Sequence, residues 1–332
     1  MIAAAIGAPY GYATSIAAGA GLHGLIRGAV TGVLIGTAVS WLSFFVLQAP
    51  GSRLARTSFM VIVAVRSLVY LVVFLVAMAI GQLLIPNHPP ARPISISGDD
   101  VLFCFAATFV VSFLFEVSGL LGQNVLLSFV TGRYHRPKVE QRVFLIMDMK
   151  NSTAAAERLG EVDFHRLLNR LVTDLSGPIV LHHGRIYKYV GDELIATWPL
   201  AQGLKDAACV RACFAALARL AAHKADYERE FGITAQMRAA LNCGQVVVGE
   251  MGSIKKEIAL SGDALNTTAR LVDACRERGE TVIASAELLD GLTLPPGIAA
   301  RSLGLIRLRG KEQAIGLCAL AEAKTDTRAA AL

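Results

Sequence analysis

Five polar residues stand where packing alone has no use for them: Asp148, Lys188, Asp192, Asn266 and Arg270. Asp148 ends an apolar run, Val143 to Met147, and polar residues then lead into a helix with Ser152 or Thr153 as its N-cap. A carboxylate at a strand end beside a helix N-terminus suits a metal–phosphate site. The acid holds Mg²⁺, while free N–H groups of the first turn face phosphate oxygens. Taken alone, the same aspartate could equally cap the turn. The stretch YKYVGDELIATW, Tyr187 to Trp198, reads as two short strands about a Gly191-Asp192 tip, with Lys188 across from apolar Ile195. If this hairpin lies beside the Asp148 strand, the two carboxylates converge. Paired acids can hold two Mg²⁺ (or Mn²⁺) for in-line attack at phosphorus. Lys188 lies too far back for the metals and can meet another part of a ligand. In ALSGDALNTTAR, Gly262 and Asp263 turn the chain into a helix on which Asn266 and Arg270 share one face. Such a pair can orient a sugar and neutralise charge building on a phosphoryl group; the alternative is a solvated polar pair with no ligand.

The elements that must hold these residues fill only part of the chain. It has 332 residues, 54% of them hydrophobic, and its charges are unevenly spread. Only Arg27, Arg53, Arg56, Arg66, Arg92, Asp99, Asp100 and Glu116 precede residue 131, and the first lysine is Lys138. Residues 1–130 therefore read as a transmembrane domain, 131–141 as a charged linker, 142–322 as one water-soluble domain and 323–332 as a disordered tail. A hydrocarbon core of roughly 30 Å takes about 20 helical residues. Four segments meet this, 2–22, 26–48, 64–85 and 101–122, with three spans as the fallback because the first is rich in Ala and Gly and carries Pro9. Arginines between the second and third spans and after the last one place the C-terminal domain in the cytoplasm. The net charge of +6 sits largely at membrane flanks, so the partner it implies is a lipid bilayer and no nucleic acid.

Within the spans, Gly28, Gly32 and Gly36 form a stripe for close helix packing, within or between subunits. Glu116 is either a sensing residue or the partner of Arg66. The six cysteines lack CxxC spacing and read as buried thiols in a reducing compartment. His182 and His183 read as the end of a helix, and VRACFAALARLAAHKADYERE as one amphipathic helix packed on the sheet.

Four segments in order, FLIMDMKNST, YKYVGDELIATW, SGDALNTTAR and LIRLRGKEQAIGLCAL, resemble the catalytic domain of class III adenylate and guanylate cyclases over residues 140–322. The apolar half followed by GRYHRP resembles bacterial membrane-anchored members. The resemblance implies an α+β, ferredoxin-like (palm-like) catalytic domain behind an α-helical multi-span domain in a bacterial inner (plasma) membrane. It implies that Asp148 and Asp192 bind two Mg²⁺ (or Mn²⁺), with a backbone carbonyl from Met149, and that Asn151, Ser152 and Thr153 contact substrate. Lys188 would read the purine, Asn266 orient the ribose, Arg270 stabilise the transition state and Arg309 meet the terminal phosphates. Three residues before Gly262 the family usually has Asp, Thr or Ser as a second base reader. Here it is Ala259, which has no hydrogen-bonding side chain, so adenine selectivity leans on Lys188 and backbone contacts, with some looseness toward GTP. Family sites form between two domains, metals held by one and Lys, Asn and Arg supplied by the other. This chain carries both sets, which implies a homodimer converting ATP to 3′,5′-cyclic AMP and pyrophosphate.

Two rivals fit less of the chain. VGDEL resembles the GGDEF hairpin of diguanylate cyclases, but Val190 and Leu194 replace its first glycine and last phenylalanine, and Asn266 and Arg270 have no use there. A degenerate membrane sensor or scaffold accounts for Ala259 but not for intact acids, Lys188, Asn266 and Arg270.

Overall fold

A computed structural model describes residues 12, 21–42, 58–84, 98–122, 125–307 and 314–323. The chain divides into two units, Met1–Leu121 and Gly122–Leu332. In the first, largely apolar runs form helices α1 (Gly21–Leu42), α2 (Phe59–Leu84) and α3 (Gly98–Leu121). Among the described residues two helices, Phe59–Leu84 and Val101–Leu121, are long and apolar enough to cross a membrane, and α1 contributes a shorter apolar stretch, Gly24–Val39. The expected first span, 2–22, falls almost wholly outside the described residues, as does the 43–48 end of the second. Met60, Leu68, Val72 and Leu83 of α2 and Leu102, Phe105, Val110 and Leu120 of α3 are exposed, a surface that water solvates poorly.

Inside this unit Ile35 and Val39 of α1 pack on Tyr70 and Ala77 of α2. A Cβ on Gly81 would overlap Thr31 Oγ1, so the missing side chain permits close approach of α1 and α2. The Arg66 guanidinium donates to Glu116 Oε2 at 2.7 Å, with both side chains largely buried. Of the two readings of Glu116, the structure shows the ion pair. Each charge satisfies the other where burial of either alone would be strongly unfavourable.

In the second unit, α4 (Val125–Val130) precedes β1 (Lys138–Met149). Residues 138–141, expected as linker, are already strand: they pair with β4 (Met237–Met251) at Val248 to Gln245. After β1 come α5 (Ser152–Leu159), α6 (Glu161–Leu181), β2 (Arg185–Val190), β3 (Glu193–Pro199), α7 (Leu200–Leu204), α8 (Ala208–Ala222) and α9 (Lys224–Phe231). β4 is followed by β5 (Glu257–Ser261), α10 (Asp263–Arg278), β6 (Val282–Ser285), α11 (Ala286–Asp290), β7 (Ile298–Ile306) and β8 (Ile315–Glu322). The strands form one mixed sheet in the order β2-β3-β1-β4-β6-β8-β7, with β5 paired to β4. The β4–β6 pairing is parallel.

Strand alternation decides which β1 residues enter the core. Val143, Leu145, Met147 and Met149 share one cluster with Leu167, Leu171, Leu175 and Ile179 of α6 and Cys209, Ala212, Cys213 and Ala216 of α8. Both helices carry their apolar residues three or four apart, as a core-facing stripe requires. The intervening residues turn the other way: Phe144 packs on Ala264, and Ile146 on Leu271, Val272 and Cys275, all of α10. Asp148 continues this second set and so lies on the face that carries α10. The segment expected as one amphipathic helix breaks at His223, where φ −95° and ψ 11° separate α8 from α9. His182 closes α6 as expected, its N–H bonded to Pro178 O.

α10 rides directly on β4. Asn242 Nδ2 donates to Ala264 O at 3.1 Å, and a Cβ on Gly244 would lie 2.9 Å from Ala264 Cβ. Gly244→Val is therefore expected to overpack this contact and lower unfolding free energy by about 1–3 kcal/mol. Chemical denaturation of the purified chain checks this, and an unchanged midpoint would contradict it.

Candidate active site

Register places the first acid. Asp148 stands opposite Glu193 of β3 on one side and Arg238 of β4 on the other, so an acid, an acid and a base lie side by side in one row. Asp192 sits beside that row at the hairpin tip, where Gly191 has φ +61°, a left-handed position that glycine takes without strain. The two aspartates expected to converge do so: Asp192 is near enough to bear on Asp148 by charge and hydrogen bonding. Asp148 is 5% exposed. Burial, and next the Asp192 charge, hold its pKa above the usual carboxylate range, although Arg276 and Arg238 pull the other way. Those two cations reach Asp148 Oδ2 at 3.7 and 3.4 Å. Burial also raises Glu193, followed by repulsion from Asp148 and Asp192. The row is an acidic cluster whose charge is incompletely neutralised by protein.

Two hard-oxygen acids with a neighbouring backbone carbonyl at Met149 suit Mg²⁺ or Mn²⁺ better than a soft metal. Among the described residues no three His, Cys, Asp or Glu side chains form a metal cluster by themselves. Remaining ligands for a cation would come from backbone, water or a phosphate, as Mg²⁺ commonly requires. The fit is therefore to a metal–phosphate pair.

After Met149 the chain turns into α5 through Asn151, whose φ 57° and ψ 36° are left-handed, a conformation asparagine tolerates better than most residues. Asn151 is the N-cap, and no side chain caps the first turn. The expectation of Ser152 or Thr153 as cap is thus corrected. Ser152 already opens the helix and Thr153 follows within its first turn, because the left-handed residue reverses the chain one position earlier.

Lys188 pairs with Ile195, which pairs with Ile146, so the lysine shares the face of Asp148 one alternation away. Two strand spacings and two residues separate their backbones by about 12 Å. The side chain is not without an acid: Lys188 Nζ donates to Glu257 Oε1 of β5 at 3.1 Å. The expectation of a lysine facing no acid holds only for the strand directly across the hairpin. Glu257 arrives from the β4–β5 hairpin, which also touches β2 where Leu260 N–H donates to the Tyr187 hydroxyl at 3.0 Å. This pair raises the lysine pKa, chiefly through the hydrogen bond to Glu257. Ala259 is buried on the same strand, 9% exposed.

Asn266 is exposed and Arg270 half-buried on α10. The α10 cation that faces Asp148 is instead Arg276. It lies six residues beyond Arg270 and ten beyond Asn266, or about 9 and 15 Å along the helix axis. Arg309 lies outside the described residues, as does the tail from 324 onward. Glu193, Arg238, Arg276 and Glu257 were not singled out from sequence. Only Glu193 carried a local signal, adjacency to Asp192. The buried thiols fit their expected inert role: burial pushes Cys209 and Cys275 up to about 12 and Cys243 up to about 11.

Residues 136–318 match the family model described as the adenylate and guanylate cyclase catalytic domain. Adenylate cyclase 2 of Rhizobium meliloti (strain 1021) is 36% identical over 220 residues, covering 66% of this chain and 61% of that protein. The chain thus spans less than two thirds of that relative's length. An uncharacterised protein of Mycobacterium tuberculosis (strain ATCC 25618 / H37Rv) is 29% identical over 191 residues, 55% of this chain and 32% of its own. Among solved structures, the adenylyl cyclase CyaB from P. aeruginosa aligns with a TM-score of 0.51 at 22% identity, covering 57% of this chain and 98% of that one. A bacterial light-regulated adenylyl cyclase aligns at 0.58 and 19% identity, covering 69% and 67%. These two show a shared fold. With the family model spanning more than half of the residues, and the paired aspartates brought together on its sheet, the chain belongs to the adenylate and guanylate cyclase catalytic domain family.

Proposed function

We propose that the chain is a membrane-anchored adenylate cyclase that converts ATP to 3′,5′-cyclic AMP and pyrophosphate in a homodimer. The observation that carries this reading is buried Asp148 beside Asp192, on the sheet face that also bears Lys188. The relative named adenylate cyclase supports the activity, and Lys188 supports adenine. The order β2-β3-β1-β4, with α6 and α8 on one face, is read as the ferredoxin-like palm. Two apolar helices with exposed Leu, Val and Phe support anchoring in a bacterial inner membrane, multi-pass, with residues 142–322 in the cytoplasm.

In this account Asp148, Asp192 and the Met149 carbonyl hold two divalent cations, Mg²⁺ or Mn²⁺. When bound, such ions supply Lewis-acid chemistry at the 3′-hydroxyl and the triphosphate. The chain's own residues do the rest. The uncapped first turn of α5, with Asn151, Ser152 and Thr153, meets phosphate oxygens. Asn266 orients the ribose, Arg270 opposes charge on the α-phosphorus and Arg309 holds the terminal phosphates. Distance supports a second copy: within one chain Asn266 and Arg270 lie about 9–15 Å along α10 from the cation that reaches Asp148. A guanylate or dual-specificity cyclase is the second reading, favoured by Ala259.

Two outcomes test the account. Arg270→Ala should lower kcat by about 10²–10³-fold with little change in nucleotide affinity. It is read by chromatography of products from ATP and GTP with Mg²⁺ or Mn²⁺, and undiminished turnover contradicts the role. Asp148→Asn should abolish activity yet raise the Tm of metal-free protein by about 2–4 °C. The sign follows from the raised folded-state pKa. A protonated Asp148 suits the fold, so this group's contribution to stability is fully present below the unfolded carboxylate pKa and is lost as pH rises through the folded one. The advantage of asparagine should appear at neutral pH and fade near about pH 4. A lower Tm at neutral pH would contradict it.

A further inference from the structure

The position where the family usually places a hydrogen-bonding base reader holds Ala259, so an acceptor is missing from its strand. Two residues earlier the same strand carries Glu257, opposite Met251 at the turn end of the β4–β5 hairpin. Side chains alternate along a strand, so Glu257 and Ala259 point to one side, about 7 Å apart. The carboxylate of Glu257 meets Lys188 Nζ at 3.1 Å, and both side chains keep solvent access, 37% and 41%. Neither group is exhausted by the contact. The ammonium retains two donors, and the carboxylate retains acceptor sites on both oxygens.

We propose that Glu257 is the second base-reading residue of this chain, accepting a hydrogen bond from the exocyclic 6-amino group of adenine while Lys188 donates to ring N1. This rests on the adenylate cyclase reading above and sharpens it. A donor held beside an acceptor matches the adenine edge, which offers an acceptor at N1 and a donor at N6. Guanine, set in the same orientation, turns its N1–H toward the ammonium and its O6 toward the carboxylate, so both contacts become repulsive. The glutamate side chain is one methylene longer than aspartate, and it starts two residues farther along the strand. The Lys188 contact shows that it reaches across to β2.

The test compares ATP with purine riboside 5′-triphosphate, which keeps N1 and lacks the 6-amino group, using the full-length chain in membranes. Glu257→Ala is expected to lower kcat/KM for ATP by about 10- to 100-fold, the effect of losing a hydrogen bond to a charged acceptor. It should leave the purine riboside substrate within about threefold of wild type and narrow the preference for ATP over GTP. Glu257→Gln, which keeps an acceptor oxygen, should restore most of the ATP rate. Equal losses on ATP and purine riboside triphosphate would reduce Glu257 to a positioning residue for Lys188 and overturn the proposal. No loss on either substrate would overturn it as well. If the wild-type chain makes no cyclic product from ATP, the cyclase reading falls and takes this assignment with it. A chain active on ATP but indifferent to Glu257 sinks the assignment alone.

Discussion

The rest of the structure depends on an unfavourable arrangement: Asp148 buried at 5% exposure with Asp192 and Glu193 beside it. Like charges out of water raise one another's pKa and weaken the fold that holds them. The chain offsets this only in part, with Arg238 at 3.4 Å and Arg276 at 3.7 Å. Extensive packing makes such an arrangement tolerable. Each fully buried Leu or Phe removed from water contributes roughly 1.5–3 kcal/mol. Val143, Leu145 and Met147 tie the strand bearing Asp148 to α6 and α8 from behind. The strained acids thus sit on a rigid row, the condition under which charge can be held for a ligand.

The second constraint is one of distance. Strand pairing brings the acids of β1 and the β2–β3 tip together, while α10 spreads its polar face over several turns. Arg276 sits at the acids, Asn266 lies in the first turn of the helix after β5, and Arg270 lies at mid-helix. In a single copy the acids and the Asn266–Arg270 pair therefore stand apart. On the proposed account a partner copy completes each of them, which explains why one chain carries both sets. The Lys188–Glu257 pair lies away from the acids and links β2 to the β4–β5 hairpin.

What could be read from sequence is what local pattern controls. Asp148 at a strand end, the Gly191-Asp192 tip, the Lys188–Ile195 pairing and the shared face of Asn266 and Arg270 follow from periods of two and of about 3.6. What could not be read depends on register between distant strands. Arg238 meets Asp148 across 90 residues, and Glu257 meets Lys188 across 69. The α5 cap failed for a related reason. Hydroxyl residues are favoured as caps, but the chain leaves β1 through left-handed Asn151, and that reversal sets the helix start. The break at His223 lies in a run of helix formers that carries no glycine or proline. Composition separated an apolar first unit from a charged second one, yet whether Glu116 senses or pairs required the 2.7 Å contact with Arg66.

The central claim is that the acids of one copy work with Asn266 and Arg270 of another. Co-expressing an Asp192→Ala chain with an Arg270→Ala chain, and measuring cyclic AMP against each alone, addresses it directly. Each variant alone should be nearly inactive. Random pairing should rebuild one intact site in half of the dimers, giving about one quarter of wild-type output. Silence from the mixture, with mixed dimers shown to form by co-purification, would contradict the account.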